Sequence, residues 1–319
     1  MTADHTTPGV QVAVGLLTYR RPDQLSLGLP EIAQQVEALA QRAGRECAVI
    51  VVDNDPGGSA RDLVQRVARE HPCLRYVHEP KPGIALARQR CLTEANGFDL
   101  LQFIDDDELP DPDWLTSMVQ AWVDWGRPAA VAGCVRPRYA TPPSDFIEAG
   151  GFFVRKEFPS GTELSVSRSG NLLIDLAQVR RLGLGFDTSL GLRGGEDTRF
   201  TRQLTAAGGR IVFCAESVVW DLVPDDRNRR EWVLRRAWHQ GGAHSYLALG
   251  EHESGWRRLA LRLRLAAGGA ARVLVGGGVA LTGRVSGSLA REARGQRLLW
   301  RGRGILRGAL TSTPPEYLR

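Results

Sequence analysis

The chain has 319 residues, 43% hydrophobic and 24% charged, an ordinary globular composition that excludes a disordered or fibrous chain and leaves room for one large domain or two common ones. Its formal charge of +5 hides an asymmetry. Residues 256–319 hold 13 Arg, no Lys and two acids, a net +11, so the preceding chain nets −6. A basic tail on a mildly acidic body points to contact with a polyanion or an anionic membrane.

The five cysteines, Cys47, Cys73, Cys91, Cys134 and Cys214, are odd in number, widely spaced and without a Cys-x-x-Cys. That argues against a disulfide framework or a zinc site. They read as small buried hydrophobes, and reduced thiols fit a cytoplasmic protein. Residues 1–9 are polar and carry no apolar signal segment. The longest apolar run, 273–282, has ten residues including three glycines, which predicts no bilayer span at the ~20 residues one needs.

In chain order, the first hundred residues alternate strand and helix. Residues 10–18 form an apolar run rich in β-branched side chains, followed by a helix over 22–42 with Leu25, Leu29, Ile32, Val36 and Leu39 at three- and four-residue steps. A second strand over 47–52 ends in the turn cluster Asp53-Asn54-Asp55-Pro56-Gly57-Gly58. Then come a helix at 61–70, a short strand at 74–77, a helix at 84–95 and a fourth strand at 100–104. Continuous apolar strands between helices predict a parallel sheet covered on both faces. Further on, 129–135 reads as a strand, 137–143 as a loop, 196–207 as a helix stopped by Gly208-Gly209, 211–214 and 218–220 as two strands, and 228–249 as a helix.

Ligands of open α/β sheets bind at the carboxyl ends of the strands. Asp53 follows the second strand, and Asp105-Asp106-Asp107 follows the fourth. If the fourth strand stays extended, Asp105 and Asp107 point to one face and can share a hard divalent cation with diphosphate oxygens and water. The plainer reading is an acidic turn before a helix capped from Asp111-Pro112-Asp113. Asp53 serves equally as an acceptor for a base or ribose and as a turn cap. The helix start after Gly83, with Arg88, suits phosphate. Glu196-Asp197, opening a helix after two glycines, reads either as a dipole-favoured acid pair or as a site for a general base. His239 and His244 lack a metal-ligand spacing and read as structural.

These pieces in this order resemble the large family-2 glycosyltransferases with the GT-A fold. The resemblance runs from about Val10 to Arg236. It rests on Thr18-Tyr19-Arg20-Arg21-Pro22, Val51-Val52-Asp53-Asn54, Glu79-Pro80 with Gly83 to Arg88, and Phe103-Ile104-Asp105-Asp106-Asp107-Glu108-Leu109-Pro110. Gly170-Asn171, Gly185-Phe186-Asp187 and Gly195-Glu196-Asp197 complete it. It implies an inverting hexosyl- or pentosyltransferase with a nucleotide-sugar donor and Mn²⁺ or Mg²⁺. Thr18, Arg20, Asp53, Arg88, Asp105 and Asp106 would then serve the donor, and Asp105 and Asp107 the metal. Asp197 would be the catalytic base, with Glu196 facing the acceptor. Two positions depart from the family: Arg20 stands where Asn is usual, and Asp221 where many members carry a His near the metal. Asp221 reads as a cation ligand or as a structural acid.

The resemblance implies a GT-A-like mixed α/β domain over about 1–225 and a basic helical extension over 226–319. A nucleotidyltransferase would share the sheet and the acids, but Leu17-Thr18-Tyr19-Arg20 is not its Gly-rich basic loop. A non-catalytic glycan- or lipid-binding protein is the other rival, and the retained Asp105, Asp107 and Asp197 argue against it. Acceptors open to this reading are a glycan, a lipid-linked sugar or a natural product. In the tail, Trp256, Leu259, Leu263, Ala266, Ala267 and Ala270 recur at helical spacing among arginines. That fits an anionic membrane surface at the inner face of the cell membrane, or packing and oligomerisation. With Trp256 and Trp300 far apart and no stacking array, nucleic acid is not expected.

Overall fold

The computed structural model describes residues 9–191, 194–250 and 255–311. Contacts divide the chain into two compact units: Met1–Arg136 with Arg155–Leu192 and Glu196–Leu222, and Pro137–Val154 with Arg193–Gly195 and Val223–Arg319. The second unit therefore takes in residues 137–154 as well as the chain beyond residue 222.

The first unit opens with β1 (Val12–Thr18), α1 (Pro22–Ala43), β2 (Ala48–Asp53), α2 (Arg61–Val67), β3 (Leu74–His78), α3 (Ile84–Glu94) and β4 (Leu100–Asp105). It continues with β5 (Glu108–Pro110), α4 (Trp114–Asp124) and β6 (Ala130–Tyr139), the last running three residues into the second unit. Strand order is β3-β2-β1-β4-β8-β6-β9-β5, with a short β7 (Glu163–Leu164) on β9; β8 spans Asn171–Asp175 and β9 Ile211–Val223. β3, β2, β1 and β4 run parallel, whereas β8 is antiparallel to β4 and β6, and β5 and β7 are antiparallel to β9. The sheet is therefore mixed. The two strands expected around 211–220 are one, because Ala215-Glu216-Ser217 interrupts the apolar pattern without ending the strand.

The parallel strands are apolar on both faces because both are covered. Val12, Val14 and Leu16 pack under α1, whose Leu25, Leu29, Ile32, Val36 and Leu39 are all buried, and beside Trp114, Leu115 and Met118 of α4. Ala13, Leu101 and Phe103 face the other way, onto Ala87 and Cys91 of α3. The same face takes α6 (Leu176–Arg181) and, through Phe200 and Leu204, α7 (Glu196–Ala206). Buried Asn171 ties the two halves of the sheet. Its Oδ1 accepts from Gln102 (3.0 Å) and the Trp114 indole (2.9 Å), and its Nδ2 donates to the Cys134 and Ser217 carbonyls. A Cβ at Gly133 would lie 2.2 Å from that Nδ2. The five cysteines are all free thiols.

The second unit holds α5 (Asp145–Gly150), α8 (Arg230–Gly250), α9 (Gly255–Val285) and α10 (Leu289–Leu310). Phe146, Ile147, Phe153, Val223, Val233, Leu234 and Ala293 form its core. The long helices meet backbone to backbone through glycines. Gly269, Gly276 and Gly283 recur every seventh residue, nearly two turns, and face Gly302, Leu299 and Glu292 of α10. Gly304 and Gly308 press α10 equally closely on Trp238 and Gly242 of α8. The face of α9 turned away from these glycines carries Trp256, Leu259, Leu263, Leu274, Leu281 and Val285, all exposed.

By length and composition α9 is long and apolar enough to cross a membrane, which corrects the expectation drawn from the ten-residue run. That run stopped short because Arg272 interrupts a stretch, 265–282, that holds no other charged residue. The glycines give a paired test within one helix. Gly276→Ala places a Cβ 2.5 Å from the Leu299 nitrogen, an overpacking expected to cost about 1–3 kcal/mol. Gly278, two residues on, faces open space, so Gly278→Ala should stabilise by up to about 1 kcal/mol. Thermal unfolding of both variants checks the pair. Equal shifts would mean that α9 and α10 do not pack on this face.

Candidate active site

The carboxyl ends of the parallel strands lie side by side, with Thr18 in register with Asp53, Leu17 with Asp105 and Asp53 with His78. Two loops there are tied by Asn54. Its Nδ2 donates to the Glu79 and Lys81 carbonyls, and its Oδ1 accepts from the Gly83 amide. Asp53 is fully buried and caps its turn. Its carboxylate accepts from the amides of Asp55 (3.1 Å) and Ala60 (2.8 Å) and from the Tyr76 hydroxyl (3.1 Å). Arg20 takes a left-handed conformation (φ +55°) and bonds Asp55 at 2.8 Å. Burial raises the Asp55 carboxyl, but the Arg20 hydrogen bond and charge outweigh it and hold it below its usual value.

β4 does not stay extended past Asp105. Asp106 and Asp107 form the turn into β5, so the simple alternation expected for Asp105 and Asp107 does not hold. Asp106 folds back, accepting from the Thr18 hydroxyl at 2.9 Å, and Arg21 lies 3.4 Å from both Asp106 and Asp107. The Asp113 side chain makes no capping bond to α4; Asp111 instead accepts from the Trp220 indole.

Asp105 sits between two arginines. Arg88, buried on α3, is 3.7 Å away and forms an ion pair with Glu196 on α7. Arg155 lies 3.2 Å from Asp221 and 3.7 Å from Glu108, two acids that face each other across β5 and β9. Gly170 makes room for this group, since a Cβ there would come within 2.8 Å of Glu108 Oε1 and 3.1 Å of Asp105 Oδ2. Arg155 and the packing of Glu108 have no motif of their own in the sequence. Gly170 stood out in the sequence only as part of the Gly170-Asn171 piece.

Carboxylates outnumber guanidinium groups here. Burial, then the negative charge of Asp107 and Asp221, raises Asp105 despite Arg88 and Arg155. Burial and Asp107 push Asp106 up to about 7. Burial and Asp105 hold Glu108 well above the carboxylate range. Glu108 Oε1 and Glu196 Oε2 are buried without a hydrogen bond. Among the described residues no three His, Cys, Asp or Glu side chains converge as a ready-made metal cage.

α7 is placed by its neighbours. Phe186 stacks on Phe200 at 4.5 Å and meets Phe103 edge-on, and Asp187 pairs with Arg199 at 2.6 Å. Gly194 and Gly195 precede the helix with φ of +72° and +87°. Its first two acids diverge. Glu196, expected to face an acceptor, is instead buried against Arg88, because α3 offers it the cation that burial demands. Asp197 remains half-buried, its Oδ1 accepting from the Thr198 amide at 2.5 Å. Glu196→Ala strands the buried Arg88 charge and should cost about 3–5 kcal/mol in denaturant unfolding. Arg88→Met combined with Glu196→Leu should recover most of that loss. Wild-type stability of Glu196→Ala would remove the pair from the scaffold.

Residues 17–171 match the model of glycosyl transferase family 2. The succinoglycan biosynthesis protein ExoM of Rhizobium meliloti (strain 1021) is 35% identical over 250 residues, 78% of each chain. Among solved structures, the mannosyltransferase PcManGT from Pyrobaculum calidifontis, in complex with GDP-Man and Mn²⁺, is similar at TM-score 0.58 and 22% identity, covering 93% of this chain and 87% of that one. S. aureus TarS 1–349 is similar at TM-score 0.51 and 15% identity, covering 91% and 90%. These structural likenesses show the GT-A fold. The identity to ExoM across most of both chains carries the rest: the chain belongs to glycosyl transferase family 2.

Proposed function

We propose that the protein moves a sugar from a nucleoside-diphosphate donor to an acceptor hydroxyl with inversion and with the help of a divalent metal. The observation that carries this reading is the surplus of carboxylates over guanidinium groups at the carboxyl edge of the parallel strands, with Glu108 buried and Asp105, Asp106 and Asp107 partly buried beside it. The donor atoms are all carboxylate oxygens, which suits Mg²⁺ or Mn²⁺. Such ions need only one or two protein carboxylates when substrate phosphates and water complete the shell. GDP-Man and Mn²⁺ on PcManGT support the same assignment. A metal held by Asp105 and Asp107 would offset charge on the departing diphosphate.

In this reading Thr18, Arg20 and the loop tied by Asp53 border the nucleotide, and Asp106 fixes Thr18 and Arg21 beside it. Asp197 takes the proton of the acceptor hydroxyl as that oxygen attacks the anomeric carbon from the face opposite the leaving group. Glu196 acts one step removed, by holding Arg88 next to Asp105. The acceptor is a glycan, a choice supported by the role of ExoM in succinoglycan biosynthesis.

Asp105→Asn and Asp107→Asn should each abolish metal-dependent thermal stabilisation by UDP, GDP or dTDP, tested in turn, and turnover with it. Full turnover in both variants would take the cluster out of the mechanism. Asp197→Asn should keep donor binding and lose ~10²–10⁴ in turnover. A loss confined to donor affinity would make Asp197 a binding residue instead.

Residues 1–225 would carry this chemistry. Residues 226–319 would meet an anionic membrane on its cytoplasmic side, through the exposed stripe of α9 flanked by Arg257, Arg264 and Arg284. Basic residues near such a surface contribute about 1 kcal/mol each, so sedimentation with anionic vesicles should be strong at low salt and fall at high salt. Absence of binding at low salt would leave the stripe to protein contacts.

A further inference from the structure

We propose that the helical unit contains a binding site for a phosphate-bearing anion, in a cleft where the segment after α5 meets α8 and α10, with Arg236 and Arg297 as its ligands. The cleft is shallow and open to solvent and is lined by Phe152, Phe153, Trp232, Arg236, Gln240 and Arg297, with no acidic side chain among its lining residues. Phe153 and Trp232 stack at 5.8 Å with their planes 15° apart. The Arg236 guanidinium lies 5.0 Å over the Trp232 ring, and that of Arg297 lies 5.7 Å over Phe152. Ring faces hold both cations in place without using their in-plane N–H groups.

Among the described residues, no carboxylate forms an ion pair with Arg236, Arg297 or Arg301. Glu292, on the same helix as Arg297, is already shared by Arg230 (2.8 Å), Arg284 (3.0 Å) and Gln296 (2.9 Å). Burial, together with the like charges of Arg301 and Arg236, pulls Arg297 below its usual value. The fold thus holds repelling cations together in a partly buried cleft, an arrangement an anion relieves. A carboxylate can be shared by two arginines, as Glu292 is, but it brings only one negative charge to two repelling cations. A phosphate or diphosphate has enough oxygens and charge for two forks at once, and that favours a phosphate-bearing ligand.

A soluble diphosphate and a lipid phosphate headgroup offer the same chemistry, so two probes separate them. The full chain is titrated calorimetrically with inorganic pyrophosphate in the presence of a chelator. It is also floated with phosphatidylcholine vesicles with and without phosphatidic acid. Wild-type protein should respond to at least one probe. Arg236→Gln and Arg297→Gln should each weaken that response by ~10-fold or more, the usual worth of a charge-assisted hydrogen bond, and the double variant should lose it. Without ligand, Arg297→Gln should melt no lower than wild type, because it removes a repelled cation. Asp105→Asn should keep the response, which separates this site from the donor reading. A double variant that binds both probes like wild type would overturn the proposal. So would a pyrophosphate response that Asp105→Asn abolishes and the arginine variants keep.

Discussion

The Arg88 guanidinium is the group on which the geometry of the sheet edge depends. It is buried on α3, and a buried cation without a partner is among the costliest defects a fold can carry. Glu196 on α7 satisfies it, and Asp105 at the end of β4 lies on its other side. One side chain therefore fixes three elements that are far apart in sequence. Asp197 follows Glu196 directly, so the residue assigned to proton removal is located by an ion pair in which it takes no part. The stacked Phe186 and Phe200 and the Asp187–Arg199 pair hold the same helix from its other turns.

The parallel half of the fold was legible because its physics is local. Strands buried on both faces must be continuous apolar runs, and α1 must repeat Leu25, Leu29, Ile32, Val36 and Leu39 on one face. The antiparallel half was harder to read. β9 keeps pairing through Ala215-Glu216-Ser217, where alternation is lost, and β6 continues to Tyr139 past a proline that reads as a loop. α5 is too short to show a period, and it is held by Phe146 and Ile147 in the core of the second unit.

At the site, the acids were legible, as were Arg20 and Arg88, but the pairing of these charges was not. Asp53, Asp105 and Glu196-Asp197 stand at strand and helix ends, where composition alone draws notice. Arg155 approaches Glu108 and Asp221 from a segment with no pattern, and its role appears only when β5 and β9 are paired. The turn at Asp106-Asp107 was one of two readings of the acid run, and what stayed hidden is the tertiary hydrogen bond that the Thr18 hydroxyl donates to Asp106. Gly170 was recognisable as part of a motif, but its reason is steric: Glu108, Asp105 and Arg155 occupy the space a side chain would need.

Arginine is used in two ways in this chain, and the difference follows from what surrounds it. In the first unit its charge is consumed by carboxylates, as in Arg20 with Asp55, Arg136 with Glu157, Arg199 with Asp187 and Arg155 with Asp221. Acids still remain in excess there, so the edge of the sheet stays short of positive charge. In the second unit arginines outnumber acids, and several lie on rings: Arg236 on Trp232, Arg297 on Phe152, Arg303 on Trp300 and Arg307 on Trp238, and also Arg230 on Phe146, although Arg230 pairs with Glu292 too. A ring face positions a guanidinium without neutralising it. Lysine, a compact and strongly hydrated point charge, stacks less well on rings, which suits arginine to positions such as Arg297, Arg303 and Arg307. The same glycines that let α8, α9 and α10 approach at backbone distance remove side chains from the helix interfaces. Arginines and aromatic residues are thereby left to the remaining faces. At Arg236 and Arg297 positive charge is positioned without an ion pair among the described residues, a property suited to an anion from outside the chain.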